Sequence, residues 1–123
     1  MKKLLLIDDH ASIRKNLKYL IEEKGYDFYE ASSVKEARAL IKDQDFDVII
    51  LDLWMPGENG LVFIKEEHEN LKEQNIPVIA YTAFADHSFS SEYEDQFAAI
   101  LQKPVDVDVL FDTIDMALKE SQK

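Results

Sequence analysis

The 123-residue sequence contains no cysteine and only three glycines and three prolines. The first absence excludes disulfides, thiolate metal sites and cysteine nucleophiles. The second excludes a glycine-rich phosphate cradle. Neither GxxxxGK[ST] nor GxGxxG occurs, and three glycines are too few to build such a loop. Basic residues are also scarce, 14 against 25 acidic ones, for a net charge of −11. That field repels phosphodiester backbones and anionic membranes, so neither nucleic acid nor membrane is expected as a direct partner. It favours metal cations or a basic patch on a protein. Long apolar runs are missing as well. In MKKLLLIDDH the apolar stretch Leu4–Ile7 is too short for the core of a secretory signal, and no stretch approaches a membrane span. A cytoplasmic chain is expected. Its 46% apolar and 11% aromatic content suits one folded domain over residues 1–123.

Five strand-like runs recur: LLLI at 4–7, DFYEA at 27–31, DVIIL at 47–51, VIAY at 78–81 and AAIL at 98–101. Three lack polar alternation, as strands buried on both faces of a parallel sheet must. Helical patterns lie between them. Ile13, Leu17, Leu20 and Ile21 form one stripe, with Gly25 as its stop. Ser33 and Glu36 read as a capping box ahead of Ala37, Leu40 and Ile41. Leu61, Ile64, His68 and Leu71 form a weaker third stripe. The last stripe is Val107, Leu110, Phe111, Ile114, Ala117 and Leu118, with Asp106 and Asp108 at its positive end. Between them DHSFSSEYEDQF, at 86–97, predicts a short or mobile fourth helix. Five βα units make an α/β, doubly wound, open parallel sheet. Ligands of such sheets bind beyond the carboxyl ends of the strands.

The strand ends carry Asp8-Asp9, Asp52, Thr82 and Lys103-Pro104. A parallel sheet brings these side chains to one edge. Clustered carboxylates need a cation, and oxygen ligands suit Mg²⁺, which often bridges to phosphate. A hydroxyl and an ammonium suit phosphoryl oxygens, and a carboxylate among them can become an acyl phosphate. Each feature also has a plainer reading. Asp8-Asp9 could be a solvated turn capping the first helix, Asp52 a loop cap, and Lys103-Pro104 a strand terminator. The three histidines, His10, His68 and His87, are scattered and read as having no metal role.

The ordered set IDDH, ILDLWMPGENG, AYTA and LQKP resembles a response-regulator receiver domain, the phosphoacceptor of two-component signalling, over essentially the whole chain. The resemblance implies a flavodoxin-like strand order 2-1-3-4-5 with five helices. It implies that Asp52 accepts a phosphoryl group from a histidine kinase or phosphotransfer protein. Asp8 and Asp9, with Asp52 and the backbone carbonyl of Trp54, would hold Mg²⁺. Thr82 would be the switch hydroxyl, Lys103 would pair with phosphoryl oxygens, and Lys103-Pro104 would be cis. A surface for a downstream protein or output domain would then be switched, with no turnover of an external substrate.

Two departures stand out. Ile100 occupies the position of the usual switch aromatic, and Gln96 that of a common glycine. Both turn the expectation toward ordering of residues 83–97. Trp54 and Phe84, two residues beyond Asp52 and Thr82, would crowd the hydrolytic water and slow decay of the phosphoryl group. The rivals are a receiver-shaped interaction module that is never phosphorylated and an aspartate-nucleophile phosphatase, which would carry DxD where this chain has adjacent aspartates. A homodimer through the fourth and fifth elements stays open. The sequence ends at SQK soon after the last stripe, as a stand-alone regulator or a piece of a longer protein would.

Overall fold

A computed structural model describes residues 1–55, 58–83 and 96–121, without the side chains of Trp54, Glu58 and Asn59. Strands β1 (Lys3–Ile7), β2 (Asp27–Ala31), β3 (Val48–Leu51), β6 (Val78–Thr82) and β7 (Ala99–Gln102) form one sheet. Its order is β2-β1-β3-β6-β7, parallel throughout. With only these five strands counted, that is the expected 2-1-3-4-5. A separate antiparallel ladder joins β4 (Trp54–Met55) to β5 (Glu58–Asn59). Reading Asp52 as a loop cap does not anticipate this ladder.

The three central strands are the three apolar runs. All of β3 and β6, and β1 from Leu4 onward, are buried, whereas β2 and β7 at the edges are only partly so. Because side chains alternate along a strand, each central strand serves two cores. Leu5, Ile7, Ile49, Leu51, Val78 and Ala80 pack with α2 (Val34–Asp43) and α3 (Gly60–Glu73). Leu4, Leu6, Val48, Ile50, Ile79 and Tyr81 pack with α1 (Ala11–Glu23) and α4 (Val107–Ser121). Each fully buried Leu or Ile contributes about 1.5–3 kcal/mol, which fixes the strand register against a slip that would exchange the two cores.

Four helices lie among the described residues, not five. The expected fourth, over 86–97, falls almost wholly outside them. Local chemistry sets the ends of the others. Gly25 takes φ 94° just past α1, a conformation that costs glycine little. Ser33 Oγ accepts the Glu36 backbone N–H, as a capping box requires. The Glu36 carboxylate reaches past the N-cap and accepts from the N–H and hydroxyl of Ser32. That bond is the main cause holding Glu36 below its ordinary pKa. In α3 the buried apolar residues are Phe63, Ile64 and Leu71, with Leu61 and His68 only partly buried. The stripe is thus rotated toward Phe63. Val107, expected in the last apolar stripe, is exposed at the first turn of α4.

Candidate functional site

The carboxyl edge of the sheet is where backbone ladders run one residue past the strands. The Asp8 N–H donates to Ala31 O (3.1 Å), Asp52 N–H to Ile7 O (2.9 Å) and Lys103 N–H to Thr82 O (2.8 Å). Asp8, Asp52 and Lys103 therefore hang from neighbouring strands and inherit the sheet's rigidity. Thr82, the last residue of β6, is completely buried.

Asp8 and Asp52 are buried carboxylates, 0% and 2% exposed, which is unfavourable unless each is paired and hydrogen-bonded. Lys103 supplies the pairing. Its Nζ donates to Asp8 Oδ2 at 3.0 Å and to Asp52 Oδ2 at 3.1 Å. Burial pulls the Lys103 ammonium toward deprotonation, but the hydrogen bond and charge of Asp8, joined by Asp52, outweigh it and leave its pKa raised. The same Nζ lies 4.9 Å from the centre of the Tyr81 ring, an attractive cation–π position. Burial is the largest cause raising the pKa of Tyr81. The Lys103-Pro104 bond is cis, as expected.

On its other oxygen, Asp8 Oδ1 accepts the backbone N–H of His10 (2.9 Å) and lies 3.0 Å from His10 Nδ1. Asp8 thus makes the turn-capping bond of the plainer reading while being fully buried rather than solvated. Arg14 braces the same turn, donating to the Asp8 carbonyl (2.8 Å) and to Glu30 (2.8 Å).

Sequence reasoning missed Gly60. A Cβ there would stand 2.8 Å from both the Asp52 carbonyl oxygen and Leu53 Cα. Its N–H donates to Leu53 O (2.9 Å). The start of α3 therefore lies directly against the backbone that carries Asp52, and only a hydrogen side chain allows it. A glycine eight residues beyond a strand-terminal aspartate was the available signal.

Ligand atoms of Asp8, Asp9, His10 and Asp52 all lie within 4.8 Å of one another. Three carboxylates face one ammonium, so negative charge remains in excess. Asp9 Oδ1 is buried and accepts no hydrogen bond; His10 Nδ1 is 3.2 Å away but without hydrogen-bond geometry. An oxygen-rich pocket with surplus negative charge and an unsatisfied buried acceptor fits a divalent cation. Among the described residues no helix is long and apolar enough to cross a membrane.

The sequence model of the family described as "Response regulator receiver domain" matches residues 4–115. This chain belongs to the response-regulator receiver domains. Receiver domains are phosphoacceptor switches of two-component phosphorelays, and the chain has that function. The receiver is 35% identical to the transcriptional regulatory protein YdfI of Bacillus subtilis, over 97% of this chain and 56% of that protein. It spans no more than 56% of YdfI and still less of several other curated relatives. Among solved structures it resembles the response regulator TrrA of Thermotoga maritima in complex with Mg²⁺-BeF. There the TM-score is 0.84 and the identity 29%, covering 95% of this chain and 99% of that one. It also resembles the beryllofluoride-activated NtrC4 receiver domain dimer, with TM-score 0.88 and 34% identity, covering 98% and 99%. Receiver domains bind Mg²⁺ at an acidic aspartate cluster, and Asp8, Asp9 and Asp52 form such a cluster here.

Proposed function

We propose that Asp52 is the phosphoacceptor of this receiver and that a histidine kinase or histidine phosphotransfer protein is its donor. The observation that carries the assignment is the Lys103 ammonium shared between Asp52 and Asp8, 3.1 and 3.0 Å away, with both carboxylates buried. An Asp52 carboxylate oxygen attacks the phosphorus of the phosphohistidine in line. The new O–P bond forms as the N–P bond breaks, and its electron pair returns to the departing imidazole. Asp8 and Asp9, with Asp52 and the Trp54 carbonyl, would hold Mg²⁺, whose charge would neutralise the phosphoryl oxygens. Lys103 releases its bond to Asp52 and takes up a phosphoryl oxygen, and the Thr82 hydroxyl donates to another. Hydrolysis of the acyl phosphate by the domain's own site resets the switch, and no external substrate is turned over.

The added charge, about −1.5 to −2, then biases a surface read by a downstream protein or output domain. Ile100 lies on β7, its Cα paired in register with Ala80, and packs against the core of the α2 and α3 face. A branched aliphatic there cannot make the swing of an aromatic, so the readout passes through the segment 83–97 after Thr82. Residues 84–95, including Phe84, lie outside the described ones. Cytoplasmic residence belongs to the same proposal. So does homodimerisation on activation, supported by the dimeric NtrC4 receiver.

The test is incubation with acetyl phosphate and Mg²⁺, followed by intact-mass measurement of wild type and Asp52→Ala. One added phosphoryl group on the wild type alone is expected, and equal labelling of both overturns the assignment.

A further inference from the structure

The metal pocket holds one residue that an all-oxygen Mg²⁺ site does not need. His10 is the N-cap of α1, and its backbone is tied to the site by the N–H bond to Asp8 Oδ1. That bond places the ring over the two aspartates. Its Nδ1 stands 3.0 Å from Asp8 Oδ1 and 3.2 Å from Asp9 Oδ1. Two neighbouring ligand atoms of a six-coordinate ion, each about 2.1 Å from the metal, sit about 3.0 Å apart. The two distances from Nδ1 are close to that spacing, and the ligand atoms of Asp8, Asp9, His10 and Asp52 lie within 4.8 Å of one another. The Asp9 oxygen is the buried acceptor that receives no hydrogen bond. The His10 side chain is more than half exposed, 56%, so the pocket borders solvent on this side.

We propose that His10 is a nitrogen ligand of this pocket, which therefore takes first-row transition cations such as Ni²⁺ or Co²⁺ in preference to Mg²⁺. The inference rests on the metal reading of the acidic cluster above. Carboxylate and water ligands suit Mg²⁺, whereas an imidazole among them adds affinity for Co²⁺, Ni²⁺ and Zn²⁺ and little for Mg²⁺. To bind, His10 exchanges its Nδ1–H···Asp8 contact for the metal and carries its proton on Nε2. Asp8 keeps the His10 backbone N–H and the Lys103 ammonium as donors.

Calorimetric titration of the metal-free protein with NiCl₂ and, separately, with MgCl₂ tests this at one fixed pH. Wild type is compared with His10→Ala, His10→Gln, His68→Ala and Asp9→Asn, each checked for native circular dichroism. The expected result is a Ni²⁺-to-Mg²⁺ affinity ratio that falls at least ten-fold in both His10 variants and stays at the wild-type value in His68→Ala. An unchanged ratio in the His10 variants overturns the nitrogen ligand while leaving the acidic site standing, provided that Asp9→Asn still loses Mg²⁺. If Asp9→Asn binds Mg²⁺ as the wild type does, the metal reading fails and the inference falls with it.

Discussion

The two ends of the sheet treat charge in opposite ways. At the carboxyl end Asp8 and Asp52 are buried and held by Lys103. At the amino end Lys2, Lys24, Lys119, Tyr26 and Asp115 surround an open cleft of about 540 Å³ floored by Phe111 and Leu118. Its pairings are loose and wet. The Tyr26 hydroxyl reaches Asp115 at 3.3 Å, and the Lys24 ammonium lies 5.3 Å from the Phe111 ring centre. This hollow is thus at the opposite end of the sheet from the chemistry. Volume is left over wherever helix ends fail to cover a sheet, but buried like charges persist only where something compensates them. In this fold buried charge marks the site, and an open hollow does not.

The sharpest way to break that comparison is Asp52→Ala. Phosphorylation from acetyl phosphate should vanish completely, read as the absence of any mass increment. Next is Lys103→Ala, which leaves two buried carboxylates without their cation. It should lower stability in urea by about 3–5 kcal/mol, and Mg²⁺ should restore part of the loss. A variant as stable as wild type without metal would show that the carboxylates do not depend on the ammonium. Gly60→Ala should cost about 1–3 kcal/mol, because its methyl must displace backbone rather than a side-chain tip. Slower phosphorylation should accompany the loss, and a normal rate would mean that the Asp52 backbone does not need this close approach.

The smallest effect belongs to the amino end. Burial first, then Asp115, raises the pKa of Tyr26 above its ordinary 10.0. The folded state therefore holds that proton more tightly than the unfolded one. Its stabilising contribution is complete below pH 10 and is lost as the pH rises through the folded value. Tyr26→Phe should flatten that part of the alkaline unfolding curve by a few tenths of a kcal/mol and leave phosphorylation untouched. A phosphorylation defect in Tyr26→Phe would couple the two ends and undo the contrast.

Much of the carboxyl end is legible in the sequence because a parallel sheet converts sequence order into position. Once five apolar runs are read as strands, the residues after each one must share an edge. Asp8, Asp52, Thr82 and Lys103 then follow without any distance being known. What escaped depends on closeness in three dimensions. Gly60 looks like one more loop glycine until the Asp52 carbonyl is found against it. His10 looks like one of three scattered histidines, because only the turn that Asp8 caps aims its ring at the aspartates. The β4–β5 ladder is two residues long on each side, too short for alternation to register. Phe63 was passed over because a small rotation of the buried stripe, which keeps Ile64 and Leu71, brings it in for Leu61, and the choice is made by packing under β3 and β6.

Lys103 and Asp8 are 95 residues apart in the chain, and β7, which delivers the lysine, pairs among the described residues only with β6. On the ribosome, a nascent chain that has emerged as far as β6 carries all three aspartates but not their ammonium. Without the Lys103 bridge, Asp8 and Asp52 would face one another as like charges until the last strand docks. Phosphotransfer that depends on the Lys103 bridge would then begin only once the last strand has docked.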